Sequence, residues 1–112
     1  MPSTAVTLEA ARDGRWFRFG DEEKVQLERR KPLKRIFAHL MLERAAHPNE
    51  VVSLTSIIRA GWPGEKLIPH SATTRAYVAI STLRRLGLKD ALVSRDGGYL
   101  VLSSVPIVFS DP

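Results

Sequence analysis

The 112-residue sequence contains no cysteine, and this absence excludes several classes of protein. Without thiols there is no disulfide scaffold, no thiolate zinc site and no cysteine nucleophile. No apolar run approaches the ~20 residues that a membrane-spanning helix needs. The first residues, Met1-Pro2-Ser3-Thr4, lack the charged region and apolar stretch of a secretory signal. We therefore expect a cytoplasmic protein without membrane contact.

Motifs for catalysis and for cofactor binding are also missing. The three histidines, His39, His47 and His70, do not have the spacing of metal ligands. Gly61 and Gly64 do not belong to a phosphate-binding loop, because no Gly-Lys-Ser/Thr ending follows them. No motif suggests a Ser/His/Asp set, and no paired carboxylates lie in an apolar setting. The sequence thus predicts a protein that is not an enzyme and that binds neither a metal nor a cofactor.

Acidic residues are the scarcer charged type, with 12 Asp and Glu against 17 Lys and Arg, a formal net charge of +5. The basic excess lies beyond residue 28, since residues 1–28 are net negative. The densest basic cluster comprises Arg29, Arg30, Lys31, Lys34 and Arg35. A basic excess favours nucleic acid as a partner. For this cluster, contact with DNA, a solvated helix face and a neighbouring domain remain alternative interpretations.

The chain has the length of one domain with its own apolar core. Residues 6–27 predict a small antiparallel sheet, because an aromatic-rich run at 16–19 and an alternating run at 24–27 flank a polar turn. Asp96-Gly97-Gly98 lies between two apolar runs and predicts a second hairpin. Residues 105–109 either add an edge strand or pack on the core.

Three helices are predicted between the sheet and the hairpin. The first runs from about Pro32 to Ala46, with the proline at its first position. The second begins after Ser53 as N-cap, and a ten-residue loop from Gly61 to His70 follows it. The third runs from about Ser71 to Leu86 and is stopped by Gly87. Its apolar stripe is narrow, comprising Ala76, Ala79, Ile80, Leu83 and Leu86, and its polar face is broad.

Three local sequences carry a family resemblance. Val52-Ser53-Leu54 is followed by Ile58 and Trp62, the third helix reads Val78-x-Ile80-x-x-Leu83-Arg84-Arg85-Leu86, and Gly98-Tyr99 follows the hairpin turn. In this order they resemble the winged-helix DNA-binding domain of the OmpR/PhoB type, the output domain of many bacterial response regulators. The resemblance covers residues 14–102.

This resemblance implies an α+β fold, namely a winged helix-turn-helix with an N-terminal antiparallel sheet, three helices and a C-terminal hairpin, the wing. We expect residues 1–112 to form this single domain, with a core at about 14–102. The domain is then either complete by itself or part of a larger regulator.

The resemblance also implies binding of double-stranded DNA in transcription regulation. The third helix would enter the major groove, and the wing would contact the adjacent backbone or minor groove. The residues expected to contact DNA are Thr74, Arg75, Val78, Ser81, Thr82, Arg84, Arg85, Lys89 and Arg95.

An alternative function is that of a protein-interaction module within a larger signalling protein. The loop before the third helix supplies Trp62, Leu67 and Ile68 as candidate contacts. RNA polymerase or a neighbouring regulatory domain is the partner implied by the family. A positive surface that joins the third helix to the wing favours DNA, whereas a contiguous exposed apolar patch around the loop favours a protein partner.

Overall fold

The computed structural model describes residues 6–110. The strands in this part of the chain are β1 Leu8–Ala10, β2 Trp16–Phe19, β3 Val25–Gln26, β4 Val52–Ser53, β5 Leu92–Arg95, β6 Gly98–Val101 and β7 Ile107–Phe109. The helices are α1 Lys31–Ala46, α2 Leu54–Gly61 and α3 Pro69–Leu83. An α+β domain with three helices and a C-terminal hairpin is therefore confirmed.

The N-terminal sheet has the strand order β3-β2-β1-β7. Its first three strands are antiparallel, as predicted, but β7 runs parallel to β1, so the sheet is mixed. Backbone hydrogen bonds from Leu8 to the Pro106 carbonyl (2.8 Å) and from Ser110 to the Ala10 carbonyl (2.9 Å) flank this pairing. Pro106 precedes the strand, so its missing N–H does not interrupt the ladder. The edge strand was one of two interpretations of residues 105–109.

The second sheet, which we call the wing sheet, has the order β4-β6-β5. The wing turn is Asp96-Gly97, with φ of 50° and 81°, as the favoured two-residue hairpin turn requires. Gly98 therefore belongs to β6 and not to the turn, and it faces Ser53 of β4. The strand β4 was not predicted, because two residues show no alternation.

The predicted start of α2 is confirmed at Ser53. Its hydroxyl accepts a hydrogen bond from the Ser56 backbone N–H at 3.1 Å, which satisfies one of the free donors of the first turn. Val52 before the cap and Ile57 after it are both buried. The cap therefore fixes the point where the chain leaves the wing sheet and enters α2.

The boundaries of α3 differ from the prediction at both ends. The helix begins at Pro69, two residues early, because proline is well suited to the first helical position. Gly61 is the last residue of α2, so the loop is Trp62–Ile68 rather than Gly61–His70. The regular helix ends at Leu83, and residues Arg84–Leu88 form a wider turn in which Gly87 has a φ of 145°.

The core lies between the N-terminal sheet and the three helices. Phe17 of β2 and Phe37 of α1 are fully buried, with ring centroids 5.0 Å apart. Trp16 is also buried, while Leu86, predicted in the apolar stripe of α3, is only half-buried at the core's edge. In the part of the chain described, no helix has the length and apolarity that crossing a membrane requires.

Candidate nucleic-acid interface

The outward face of α3 exposes both apolar and polar side chains. Tyr77 is 50% and Val78 60% exposed, although residues of this kind are usually buried when they lie on a helix of a small domain. Thr74, Ser81 and Arg85 are exposed as well. The opposite face consists of small and aliphatic residues that pack on α1 and α2, including Ala72, Ala76, Ala79, Ile80 and Leu83. This packing orients the mixed face outward.

Five cationic side chains lie on α3, on the turn after it and on the wing. All are exposed, and they are Arg75, Arg84, Arg85, Lys89 and Arg95. Within residues 6–110, the one ion pair that any of them makes joins Arg75 to Glu65, with the nitrogen and oxygen atoms 3.7 Å apart. An exposed pair at this distance contributes little to stability and leaves the guanidinium accessible.

The hydrogen bonds of the other arginines of α3 and its turn are weak. The Arg84 guanidinium donates to the Lys89 carbonyl, and the Arg85 guanidinium donates to the Thr82 hydroxyl, both at 3.4 Å. Hydrogen bonds of this length lie beyond the usual N–H···O range. A phosphate oxygen would therefore compete effectively for either guanidinium, because charge-assisted hydrogen bonds are stronger.

The wing lies beside α3, and the two elements line an open cavity of about 370 Å³. Tyr77 lines it from the helix, and Ser94–Tyr99 line it from the wing. Burial raises the pKa of Tyr99, the neighbouring Tyr77 adds to the rise, and Arg84 opposes it. Because Tyr77 and Tyr99 line the same cavity, helix and wing form one concave surface.

Thr82 differs from the other residues expected to contact DNA. It is only 8% exposed, and its hydroxyl donates to the Val78 carbonyl at 2.8 Å. Threonine in a helix commonly makes this bond to the carbonyl four residues earlier. Its donor is therefore occupied, and the structure does not present the hydroxyl toward solvent as it does that of Ser81.

The basic cluster at the start of α1 divides into two parts. Lys34 contacts Glu28 at 2.8 Å and Asp13 at 3.9 Å. These two carboxylates, on the side of the N-terminal sheet, balance its charge. Arg30, in contrast, lies beside α3, where it lines a groove together with Thr74. The cluster is thus not one surface.

This groove, which we call the helix groove, lies between the start of α1, the end of α2 and the outer side of α3. Its volume is about 490 Å³. The lining is largely apolar and includes Pro32, Leu33, Trp62, Val78 and Ala79, with Arg30 and Arg75 beside them.

Two residues of this surface were missed by the sequence analysis. Tyr77 is not among the residues expected to contact DNA, yet it joins the helix to the wing cavity. Arg30 was treated only as a member of the basic cluster, because its proximity to α3 depends on the crossing of two helices. For Tyr77 a signal existed, since an aromatic residue next to Val78 on a polar helix face is unusual.

The candidate partner loop exposes one large apolar side chain. Ile68 is 71% exposed, while Leu67 and Trp62 are half-buried. Trp62 packs against the core. The exposed apolar surface of these three residues is therefore mainly that of Ile68.

The fold is similar to that of a solved DNA-binding domain. The DNA-binding domain of CadC from E. coli matches with a TM-score of 0.50 and 18% sequence identity, over 88% of this chain and 94% of that one. At this identity the likeness establishes the winged-helix fold and does not by itself establish the function. No family model and no curated protein matches the sequence.

Proposed function

We propose that this domain binds double-stranded DNA and acts in transcription regulation. In this proposal α3 enters the major groove and the wing contacts the adjacent backbone or minor groove. Two observations carry it: α3 and the wing line one cavity, and the five exposed cations on α3, the turn after it and the wing have a single weak acidic partner among the described residues, Glu65. The fold likeness to a DNA-binding domain supports the same function.

The cations and the short side chains of α3 have different roles in this proposal. Arg84, Arg85 and Lys89 contact phosphates, which give affinity and register but no sequence information. Val78 and Ser81 face the base edges, where a methyl group meets thymine or a hydroxyl makes a hydrogen bond. We do not assign a base contact to Thr82, because its hydroxyl is bound within the helix. Direct readout is therefore modest.

The wing arginine completes the proposed interface. Arg95 pairs with Gly98 across the hairpin and is exposed next to the turn. A guanidinium in this place suits a narrow, A·T-rich minor groove, where the negative potential is strongest. Arg75 and Thr74 would contact the other side of the major groove, near the start of α3.

The wider biological assignment rests on the family resemblance. We propose a bacterial output domain of the OmpR/PhoB type that works in the cytoplasm, on the nucleoid, without enzymatic activity. Residues 1–112 would form this single winged-helix domain, with or without further domains in the natural protein.

A titration followed by nuclear magnetic resonance tests the proposal. The labelled protein is mixed with a duplex of about 16 base pairs, at low salt and at about 0.2 M salt, where phosphate-driven binding weakens sharply. We expect shifts confined to Thr74–Lys89 and the hairpin around Arg95, with smaller shifts at high salt. Shifts centred on the N-terminal sheet, or none at low salt, would contradict it.

A protein partner at the loop is a second candidate function, and the exposure of Ile68 favours it. The partner classes are RNA polymerase and a neighbouring regulatory domain. An Ile68→Ser variant should keep its DNA affinity, because the loop lies outside the concave surface, and it should lose affinity for purified RNA polymerase if the loop is the contact. Equal polymerase binding by both proteins would exclude this candidate.

A further inference from the structure

The helix groove is open to solvent, and its size and lining suit a small molecule. Its volume of about 490 Å³ lies within the range of roughly 300–1,000 Å³ typical of ligand pockets. Pro32, Trp62 and Val78 supply apolar surface from three different helices or their ends, and the buried Leu33 and Ala79 form the floor. Among residues 6–110, no buried side-chain nitrogen or oxygen lacks a hydrogen-bond partner, and Thr82 in the groove wall is satisfied within α3. The body of a ligand would therefore be apolar.

The charge around this groove is positive. Arg30 lies at the start of α1 and Arg75 near the start of α3, and both guanidiniums belong to residues that line the groove. Glu65 is the one carboxylate paired with either arginine in the described chain, and it is 3.7 Å from Arg75. Because this pair is long and exposed, an entering carboxylate can replace Glu65 at little cost. Guanidinium groups also match the geometry of a carboxylate better than lysine does.

We propose that the helix groove binds a small amphipathic carboxylate, with its apolar body on Pro32, Trp62 and Val78 and its carboxylate at the guanidiniums of Arg30 and Arg75. The apolar lining and the two guanidiniums favour a compound that has both an apolar body and a carboxylate over a compound that has only one of them.

This site bears on DNA binding, and that part of the inference rests on the proposed function. Thr74, Arg75 and Val78 belong both to the helix groove and to the proposed DNA surface. A carboxylate there takes the positive charge of Arg75 away from the phosphates and covers part of Val78. The ligand and DNA therefore compete, and the groove is an effector site that releases DNA.

Three simple probes test the site in the absence of DNA. Octanoate carries both features, octanol only the apolar body and acetate only the charge. We expect saturable shifts of the Trp62 indole and of the Thr74, Val78 and Ala79 amides with octanoate. Its affinity should exceed that of either other probe by about tenfold, as a charge-assisted hydrogen bond contributes roughly that factor. Equal affinity for octanol, or no saturation with octanoate, would overturn the proposal.

Matched arginine variants separate the site from general electrostatic attraction. Arg30→Gln should weaken octanoate binding about tenfold, whereas Arg29→Gln, next to it in sequence but outside the groove lining, should change it less than about twofold. Both residues are exposed and neither makes an ion pair with a described residue, so we expect both variants to fold normally. Equal effects of the two variants would exclude a localised carboxylate site.

Two further measurements distinguish the proposed ligand site from the proposed DNA-binding function. Thymidine monophosphate serves as a probe for a nucleotide, and if it shifts the same resonances as strongly as octanoate, the groove is only part of a DNA surface. In a competition assay, octanoate should raise the apparent Kd for a short duplex, and Arg30→Gln should reduce this effect. Octanoate binding without DNA binding would refute the proposed function alone, and DNA binding without octanoate binding would refute the effector site alone.

Discussion

The N-terminal sheet and the surface formed by α3, its following turn and the wing use charged residues in opposite ways. In the N-terminal sheet, Arg18 contacts Glu9 at 2.7 Å, and around the turn before β2 Arg15 contacts Asp13 at 3.1 Å. In the turn after α3 and on the wing, Arg84, Arg85 and Arg95 make no ion pair with any residue in 6–110. The molecule thus neutralises its arginines in one region and leaves them accessible in the other.

The regions also differ in how their strands are held in place. The N-terminal sheet combines its ion pairs with aromatic packing, in which Lys24 lies over the Trp16 ring and Arg12 over the Phe109 ring. The wing sheet depends on a close backbone approach at Gly98, where a Cβ would lie 2.3 Å from the Val52 carbonyl oxygen. The comparison indicates that the wing keeps its position without using its cations, which leaves them available for a partner.

Replacing the glycine at this close approach should give the largest effect. Gly98→Ala forces β4 and β6 apart, and we expect the free energy of unfolding to fall by about 3 kcal/mol, as overpacking of this kind does. Gly97→Ala is the matched control, because its Cβ meets open space and only its φ of 81° is strained, at a cost of about 1 kcal/mol. Urea unfolding measures both, and equal losses would show that the contact with β4 is unimportant.

Removing accessible cations should affect DNA binding rather than stability. Arg85→Ala and Arg95→Ala should each weaken binding to a short duplex by about tenfold and reduce the salt slope by about one. Arg18→Gln is the control, because Arg18 already pairs with Glu9, and its affinity for DNA should stay within about twofold of the parent. Equal losses for all three variants, measured by fluorescence anisotropy, would remove the distinction between the two regions.

The smallest effect is expected for acid titration of the N-terminal sheet. Hydrogen bonds from Ser110 and Arg18 lower the pKa of Glu9 below its ordinary value of 4.5. Stability from these bonds is therefore present above pH 4.5 and is lost as the pH falls through the lowered pKa. We expect Glu9→Gln to have a lower Tm than the parent at pH 7, and this difference should shrink toward pH 3. A difference that does not depend on pH would contradict the ion-pair explanation.

The sequence predicted the elements of the fold better than their junctions. The aromatic run at β2, the Ser53 cap and the Asp96-Gly97 turn are local signals, since each depends on residues within one turn or strand. The parallel pairing of β7 with β1 and the short strand β4 depend on contacts between residues that are distant in the sequence. No local sequence pattern predicts such contacts.

In the candidate interface too, local sequence patterns predicted less where contacts between different helices decide the structure. Helical periodicity correctly predicted that Val78 and Ser81 of α3, and Arg85 in the turn after it, are exposed. It also placed Thr82 within reach of a partner, because periodicity alone did not show that this side chain is buried and bonded to the Val78 carbonyl. The proximity of Arg30 to α3 was missed because periodicity does not show how two helices cross. That the residues expected to contact DNA do so stays a prediction.

The salt dependence of DNA binding tests the central claim most directly. If the exposed cations of α3 and the wing bind phosphates, about four to six contacts are made, and the slope of log affinity against log salt should be on the order of −4 to −5. The measurement uses the parent protein and a duplex of about 16 base pairs between about 50 and 200 mM salt. A slope near zero, or no binding at the lowest salt, would contradict the account.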